Sequence, residues 1–319
     1  MKVLITGGAG FIGSHLADYL IGRGDRVMAL DNLSTGGLAN IDHLTTRPDF
    51  ELMLGSILNA DLVDDAVSRA DLIFHLAAAV GVRLIVEKPL ESLRTNILGS
   101  EIVFEKAHKY GKPILVTSTS EIYGKNSSDR LGEDDDRILG SPLKSRWSYS
   151  EAKAIEEILA YTYWREKGLP SVIVRLFNTV GRRQTGAYGM VIPRFVQQAL
   201  RDEPLTVYGD GNQTRCFCSV RDVVPALVSL LEDERAYGQV FNIGGTEEVS
   251  IVELAQRVID LTGSDSKVRF VAYDEAYEEG FEDMPRRVPD ISRVHNLTGF
   301  SPSRNLDDII TEVAEELRA

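Results

Sequence analysis

Tyr149 and Lys153 stand four residues apart in WSYSEAKAIEEILAYTYWREK, so any helix formed by that stretch carries both on one face. An ammonium beside a phenol favours the phenolate and lowers its pKa by charge. Such a phenol can take a proton from an alcohol. A second cluster lies in STSEIYG (118–124), where Thr119, Ser120 and Glu121 follow the apolar run PILVT. Two hydroxyls and a carboxylate at the mouth of a buried strand are chemistry waiting for a ligand. Tyr163 and Lys167 repeat the Tyr–Lys spacing, but about 21 Å further along the axis at 1.5 Å per residue. They sit beside Gly168 and Pro170, where the helix should stop. Tyr163 is assigned to packing or surface, and Tyr149 is the candidate base.

The chain opens on an apolar strand, KVLIT, that runs into GGAGFIG and then into the helical pattern HLADYLIGRG. Gly7, Gly10 and Gly13 allow a tight turn, close approach to a pyrophosphate and tight helix–strand packing. The N–H groups around Phe11 and Ile12 open the helix toward the phosphates. The second strand, RVMALD, ends in Asp31, followed by Asn32. A carboxylate there accepts ribose hydroxyls and repels a 2′-phosphate. DNLSTGG holds no arginine to neutralise one, which favours NAD over NADP.

These residues need a frame. The runs KVLIT, RVMALD, ELMLGS, DLIFHLAAA, PILVTSTS and SVIVRLFN are continuous, as strands buried on both faces are. Helical patterns alternate with them, which predicts an α/β fold: a doubly wound parallel sheet with right-handed crossovers. Parallel strands present their carboxyl ends to ligand, which brings Tyr149 toward Thr119. The expected division is a nucleotide-binding Rossmann domain over 1–177, rejoined by about 216–246 because VFNIG reads as another core strand. A smaller substrate-binding region spans 178–319.

The chain has 319 residues and a formal net charge of −13. An acidic surface argues against nucleic acid or an anionic membrane as partner. No apolar run approaches the roughly 18 residues of a membrane span, and no signal peptide precedes the first strand, so a cytoplasmic location is expected. Cys216 and Cys218, the only cysteines, complete neither a zinc site nor a disulfide framework and are expected to alternate along a strand. The acidic runs EDDD (133–136) and DEAYEEGFED (274–283) read as solvated surface. The scattered histidines 15, 43, 75, 108 and 295 have no metal spacing, and no metal is expected. Asn96 is expected to bond backbone, and the pair Arg182 and Arg183 is left open between surface and diphosphate.

Together, GGAGFIG, Asp31, HLAAA (75–79) with Ala77, Thr119 and the Tyr149/Lys153 pair resemble the extended short-chain dehydrogenase/reductases. More closely, the chain resembles their NAD-dependent nucleotide-sugar epimerase/dehydratase branch, over nearly its full length. The resemblance implies that Thr119 bonds the sugar hydroxyl being oxidised, Tyr149 is the base and Lys153 holds the nicotinamide ribose. RLFNTVG (175–181) resembles the segment whose asparagine, here Asn178, contacts the diphosphate. EPLTVYGDGNQTR (203–215), with Val207 and Tyr208, resembles the segment that holds uridine and ends in a phosphate-binding arginine, here Arg215. RRVPDI (286–291) implies that Arg287 meets phosphate or carboxylate, which the guanidinium fork suits.

The 4,6-dehydratases read Thr-Asp-Glu where this chain has Thr119-Ser120-Glu121, which argues against dehydration. Thr-Ser-Glu resembles the UDP-glucuronate decarboxylases, with Glu121 managing a proton at C5. HLAAAVGVR (75–83) looks more like the epimerases, and YSEAK departs from the decarboxylases' Tyr-Asp-Glu-Gly-Lys. The expectation is UDP-glucuronate decarboxylation to UDP-xylose through a 4-ketone with NAD recycled in place. A UDP-sugar 4-epimerase is the alternative within the family. From another class, the alternative is a catalytically silent NAD-binding sensor. A net NADPH-consuming reductase is disfavoured by Asp31. The helices near 90–109 and 149–167 are compatible with the dimeric four-helix bundle that the family often forms.

Overall fold

The computed structural model describes residues 1–79, 89–144, 147–186, 190–272, 275 and 284–318. The strands in chain order are β1 (Lys2–Thr6), β2 (Arg26–Asp31), β3 (Phe50–Leu54), β4 (Leu72–His75), β5 (Ile114–Thr119), β6 (Ser171–Leu176) and β7 (Thr179–Val180). They continue as β8 (Leu205–Tyr208), β9 (Thr214–Cys216), β10 (Cys218–Ser219), β11 (Val240–Ile243), β12 (Glu248–Ser250), β13 (Val268–Val271) and β14 (Arg286–Arg287). Seven of them form one sheet in the order β11-β6-β5-β4-β1-β2-β3, and every pairing is parallel. This is the doubly wound sheet expected from the alternation of apolar runs and helical patterns.

Each apolar run divides its side chains between two cores, because successive residues of a strand point to opposite faces. Val3, Ile5, Val27 and Ala29 join one cluster with Leu16 and Leu20 of helix Phe11–Gly22 and Val224 and Leu227 of helix Val220–Leu231. Leu4, Met28 and Leu30 join the other, with Val63 of helix Ala60–Arg69, Phe104 of helix Ser100–Lys109 and Ala160 of helix Ser148–Lys167. A third cluster gathers Phe195, Val207, Leu254 and Ile310 from the C-terminal half. Three small sheets accompany it: β10-β7, β12-β9-β14 and β13-β8.

The winding order of the sheet reverses between β1 and β4, the switch point beyond whose carboxyl ends sheets of this kind take their ligands. The segments that follow β1, β2, β4 and β5 all leave the sheet at that edge. Helix Ser148–Lys167 packs on this half of the sheet and stops at Gly168, whose φ of +69° supplies a left-handed cap.

One surface reading and one strand reading need correction. Glu133, in EDDD, is half-buried: its Oε1 accepts the N–H of Asn242 at 2.8 Å, and burial pushes its carboxyl up. The cysteines do not share one regular strand: Cys216 ends β9 and Cys218 opens β10, in separate sheets, both as buried free thiols. The run 274–283 lies outside the described residues except Glu275.

Candidate active site

The glycine loop is shaped by close approach. A Cβ on Gly13 would lie 2.2 Å from the carbonyl oxygen of Gly7, and one on Gly7 would lie 2.8 Å from the nitrogen of Ala77. Gly7 also has φ +75°, which L side chains rarely adopt. Helix Phe11–Gly22 begins behind Gly10 with no side-chain cap, so its first N–H groups point to an external acceptor. Asp31 is 8% exposed, and its two oxygens accept the N–H groups of Ala9 at 2.9 Å and Leu33 at 2.7 Å. Each oxygen keeps a second lone pair for a ribose hydroxyl. Asn32 Oδ1 accepts from Ser34 N at 3.0 Å. A narrow glycine cradle, an uncapped helix start and a carboxylate at the end of β2 fit a dinucleotide without a 2′-phosphate.

Opposite the cradle, the first turn of helix Ser148–Lys167 is fixed to the end of β5. Ser150 Oγ donates to the carbonyl of Glu121 at 2.9 Å. Lys153 Nζ donates to the carbonyl of Thr117 at 2.9 Å. Tyr149 immediately precedes the first of these attachments, which sets it beside the turn that follows Thr119. Thr119 Oγ1 caps that turn by accepting Glu121 N at 3.2 Å, and its O–H proton is free to serve another acceptor.

The electrostatics differ from the expectation. Lys153 Nζ also donates to Glu156 Oε2 at 2.9 Å, and the two side chains are 2% and 1% exposed. The ammonium therefore meets a carboxylate at close range and does not act on the phenol as a lone charge. Burial, followed by the charges of Glu156 and Glu121, pushes the Tyr149 phenol well above its ordinary value.

The other polar residues converge from the C-terminal half. Arg287 Nη1 lies 3.3 Å from Ser120 Oγ and 3.8 Å from Glu121 Oε1, and its Nη2 reaches Asn178 Oδ1 at 3.5 Å. Asn178, held at φ +27°, donates through Nδ2 to the carbonyl of Cys216 at 2.8 Å. Arg215, in the strand beside Arg287, donates to Thr214 O at 2.8 Å. Tyr208 lies under the Arg194 guanidinium, 4.4 Å from its ring centroid. Val207, expected to meet substrate, is instead fully buried in the C-terminal core, where its strand pairs with β13.

Residues 3–244 match the model of the NAD dependent epimerase/dehydratase family. The chain belongs to this family. It is 41% identical over 99% of its length, and 98% of the relative's, to a UDP-N-acetyl-alpha-D-glucosaminuronate decarboxylase of Bacillus cytotoxicus. It is 35% identical to UDP-glucuronic acid decarboxylase 1 of Arabidopsis thaliana, over 100% of this chain and 70% of that one. Among solved structures, a UDP-glucuronic acid 4-epimerase from Bacillus cereus, in complex with UDP-glucuronic acid and NAD, superposes with a TM-score of 0.89 at 30% identity. That match covers 100% of this chain and 99% of the other. As a member of the NAD dependent epimerase/dehydratase family the chain is an enzyme, and its cofactor is NAD.

Several residues of this family member serve the frame. Asn96 bonds the backbone of Ala79 through both amide atoms, at 2.7 and 3.2 Å, from a π-helical turn over Thr95–Gly99. Arg182 and Arg183 turn to the C-terminal helix and helix Phe11–Gly22, pairing with Glu315 at 3.3 Å and Asp18 at 2.8 Å. Tyr163 stacks on Phe104 with centroids 5.9 Å apart. Glu156 was missed by sequence reasoning, although its spacing of three residues from Lys153 on a helix was a usable signal. The VGVR end of HLAAAVGVR lies outside the described residues.

Proposed function

We propose that the enzyme decarboxylates a UDP-linked hexuronate through a 4-keto intermediate: UDP-glucuronate, giving UDP-xylose, or its 2-acetamido counterpart. The observation that carries this reading is Arg287 beside both Ser120 and Glu121 at the carboxyl end of β5. A guanidinium there suits a substrate carboxylate, and Glu121 stands next to it to handle a proton. The decarboxylase relatives of Bacillus cytotoxicus and Arabidopsis thaliana support the same chemistry.

Gly7, Gly10, Phe11, Ile12 and Gly13 hold the pyrophosphate of NAD, Asp31 and Asn32 its adenosine ribose, and Ala77 the far wall of the cradle. Lys153 holds the nicotinamide ribose. When bound, the cofactor accepts a hydride from C4 of the sugar and later returns it. Tyr149 takes the proton of the 4-hydroxyl, which Thr119 orients. Asn178 and Arg215 bind the diphosphate, and Tyr208 holds uridine. Arg287 receives the C5 carboxylate. Once C4 is a ketone, that substrate is a β-keto acid. The C5–C6 bond breaks, its electron pair passes into the ketone as an enolate, and carbon dioxide leaves. Glu121 manages the proton that arrives at C5, and Tyr149 gives its proton back to the C4 oxygen.

A homodimer is part of this proposal. Ile155 and Ile158 are exposed on helix Ser148–Lys167, Ile158 at 61%, and Leu98 is exposed on the neighbouring π-helical turn. The unbridged buried thiols of Cys216 and Cys218 fit a reducing compartment such as the cytoplasm.

The test is product analysis by NMR with UDP-glucuronate, UDP-N-acetylglucosaminuronate, UDP-glucose and UDP-galactose in parallel. A UDP-pentose or its 2-acetamido analogue, with loss of one carbon, is expected. Interconverted 4-epimers without carbon loss would reject decarboxylation. A GDP- or TDP-sugar outperforming all four would reject the uridine assignment.

A further inference from the structure

We propose that Glu156 is the counter-ion of Lys153, and that this buried carboxylate, together with the lysine, sets how strong a base Tyr149 is. The inference rests on the reading of Tyr149 as the base.

Lys153 has three N–H donors. One goes to the carbonyl of Thr117 and one to Glu156 Oε2, each at 2.9 Å. Two opposite charges at that separation act on a third group as a dipole, and most of the ammonium's pull on the phenol is cancelled. Glu156 Oε1 is buried and has no hydrogen-bond partner among the described residues, so Lys153 is the charge that holds this carboxylate. Nearby, Ala77 N donates to Thr6 Oγ1 at 3.2 Å, Thr6 Oγ1 bonds His75 Nδ1 at 2.7 Å, and His75 Nε2 bonds Ser100 Oγ at 2.9 Å. Burial, helped by Lys153, holds the His75 imidazole down at about 3, so it brings no charge to the pair.

The surrounding charges are few. Glu157, next on the same helix, is neutralised by Arg175 of β6 through bonds of 2.9 and 2.8 Å. From another element, Ser100 of helix Ser100–Lys109 lies against Glu156, and His75 of β4 bonds that serine. Glu121 acts on Tyr149 from the turn after β5. Of the two anions acting on the phenol, Glu156 alone is tied to Lys153.

The experiment titrates the Tyr149 phenol in the NAD-loaded protein, by NMR of ring-labelled tyrosine, with Tyr149→Phe identifying the signal. Glu156→Gln keeps shape and bonding and removes the charge. Its Tyr149 titration is expected to fall by about 1 to 2 pH units, and the acid limb of kcat/KM should move with it. Glu156→Asp, which keeps the charge, should stay near wild type. Should the Gln variant fail to fold, Glu156→Asp against Glu156→Asn isolates charge at constant length. A folded Gln or Asn variant whose phenol titrates as in wild type would overturn the proposal. So would an Asp variant that shifts as far as its amide. The titration needs no substrate, so a failed assignment of the UDP-hexuronate reaction leaves this result readable on its own.

Discussion

Ser150 Oγ donates to the carbonyl oxygen of Glu121 at 2.9 Å, joining the helix that carries Tyr149 to the turn that carries Thr119. One hydroxyl thus spans the two elements that the proposed mechanism needs together, and the register between the proposed base and the residues proposed to face substrate depends on it. Replacing Ser150 by alanine should cost about 1 kcal/mol of stability. It should lower kcat by roughly tenfold, equivalent to about 1.4 kcal/mol of barrier, with little change in KM. Steady-state kinetics and urea unfolding on the same preparation would check both halves.

The other side of this helix is held by Glu157 and Arg175, a two-bond pair with side chains 11% and 9% exposed. Arg175 also donates to Tyr123 Oη and to the carbonyl of Glu133, both at 2.9 Å. Arg175→Met strands a buried carboxylate and should cost about 3 to 5 kcal/mol. Arg175→Met combined with Glu157→Leu should recover much of that loss. Denaturant midpoints that fall additively across the two variants would contradict the coupling.

His75 and Glu156 should pull stability in opposite directions with pH. Burial, more than the nearby Lys153, lowers His75 from 6.5 to about 3, so its contribution is present above pH 6.5 and is lost as pH falls toward 3. Burial raises Glu156 from 4.5 to about 7, so its contribution is present below pH 4.5 and is lost as pH rises toward 7. Between those ordinary values of 4.5 and 6.5 the two slopes oppose each other. Relative to wild type, Glu156→Gln should lose stability by up to about 1.4 kcal/mol per pH unit as that window is crossed downward. His75→Asn should gain stability in the same direction. Unfolding free energies across this range measure both signs, and parallel curves for all three proteins would contradict the shifts.

Ile155 and Ile158 are exposed on a helix whose opposite face is buried against the sheet. If the proposed homodimer forms through this face, a charge at Ile158 should separate it while leaving the monomer folded. Sedimentation of Ile158→Glu beside wild type is the check. A wild-type chain that sediments as a monomer at micromolar concentration would reject the dimer.

Much of this was legible because it is local. The glycine loop, Asp31 and the hydroxyls after β5 each follow from a strand's end and its next few residues, and the continuous apolar runs declare a sheet covered on both faces. What escaped depends on contacts across the fold. Glu156 reads as one of several acids on a long helix, and only packing against Ser100 and His75 makes it an interior counter-ion. Glu133 hides in an acidic run for the same reason: its partner, Asn242, is 109 residues away. At the break between the two cysteines the Phe217 backbone lies against Gly245, where a Cβ would be 1.9 Å from the Phe217 carbonyl oxygen, a contact 28 residues distant that no local pattern announces. The Tyr149/Lys153 spacing was found, whereas the charge felt by the phenol was misjudged because Lys153 was treated as unaccompanied.

The most direct measurement follows the carboxyl carbon of a UDP-linked hexuronate labelled at that position. The wild-type enzyme with NAD should release the label as carbon dioxide and leave a UDP-pentose or its 2-acetamido analogue, and Tyr149→Phe should release almost none. Label retained in a 4-epimer, or released equally fast by Tyr149→Phe, would contradict the account.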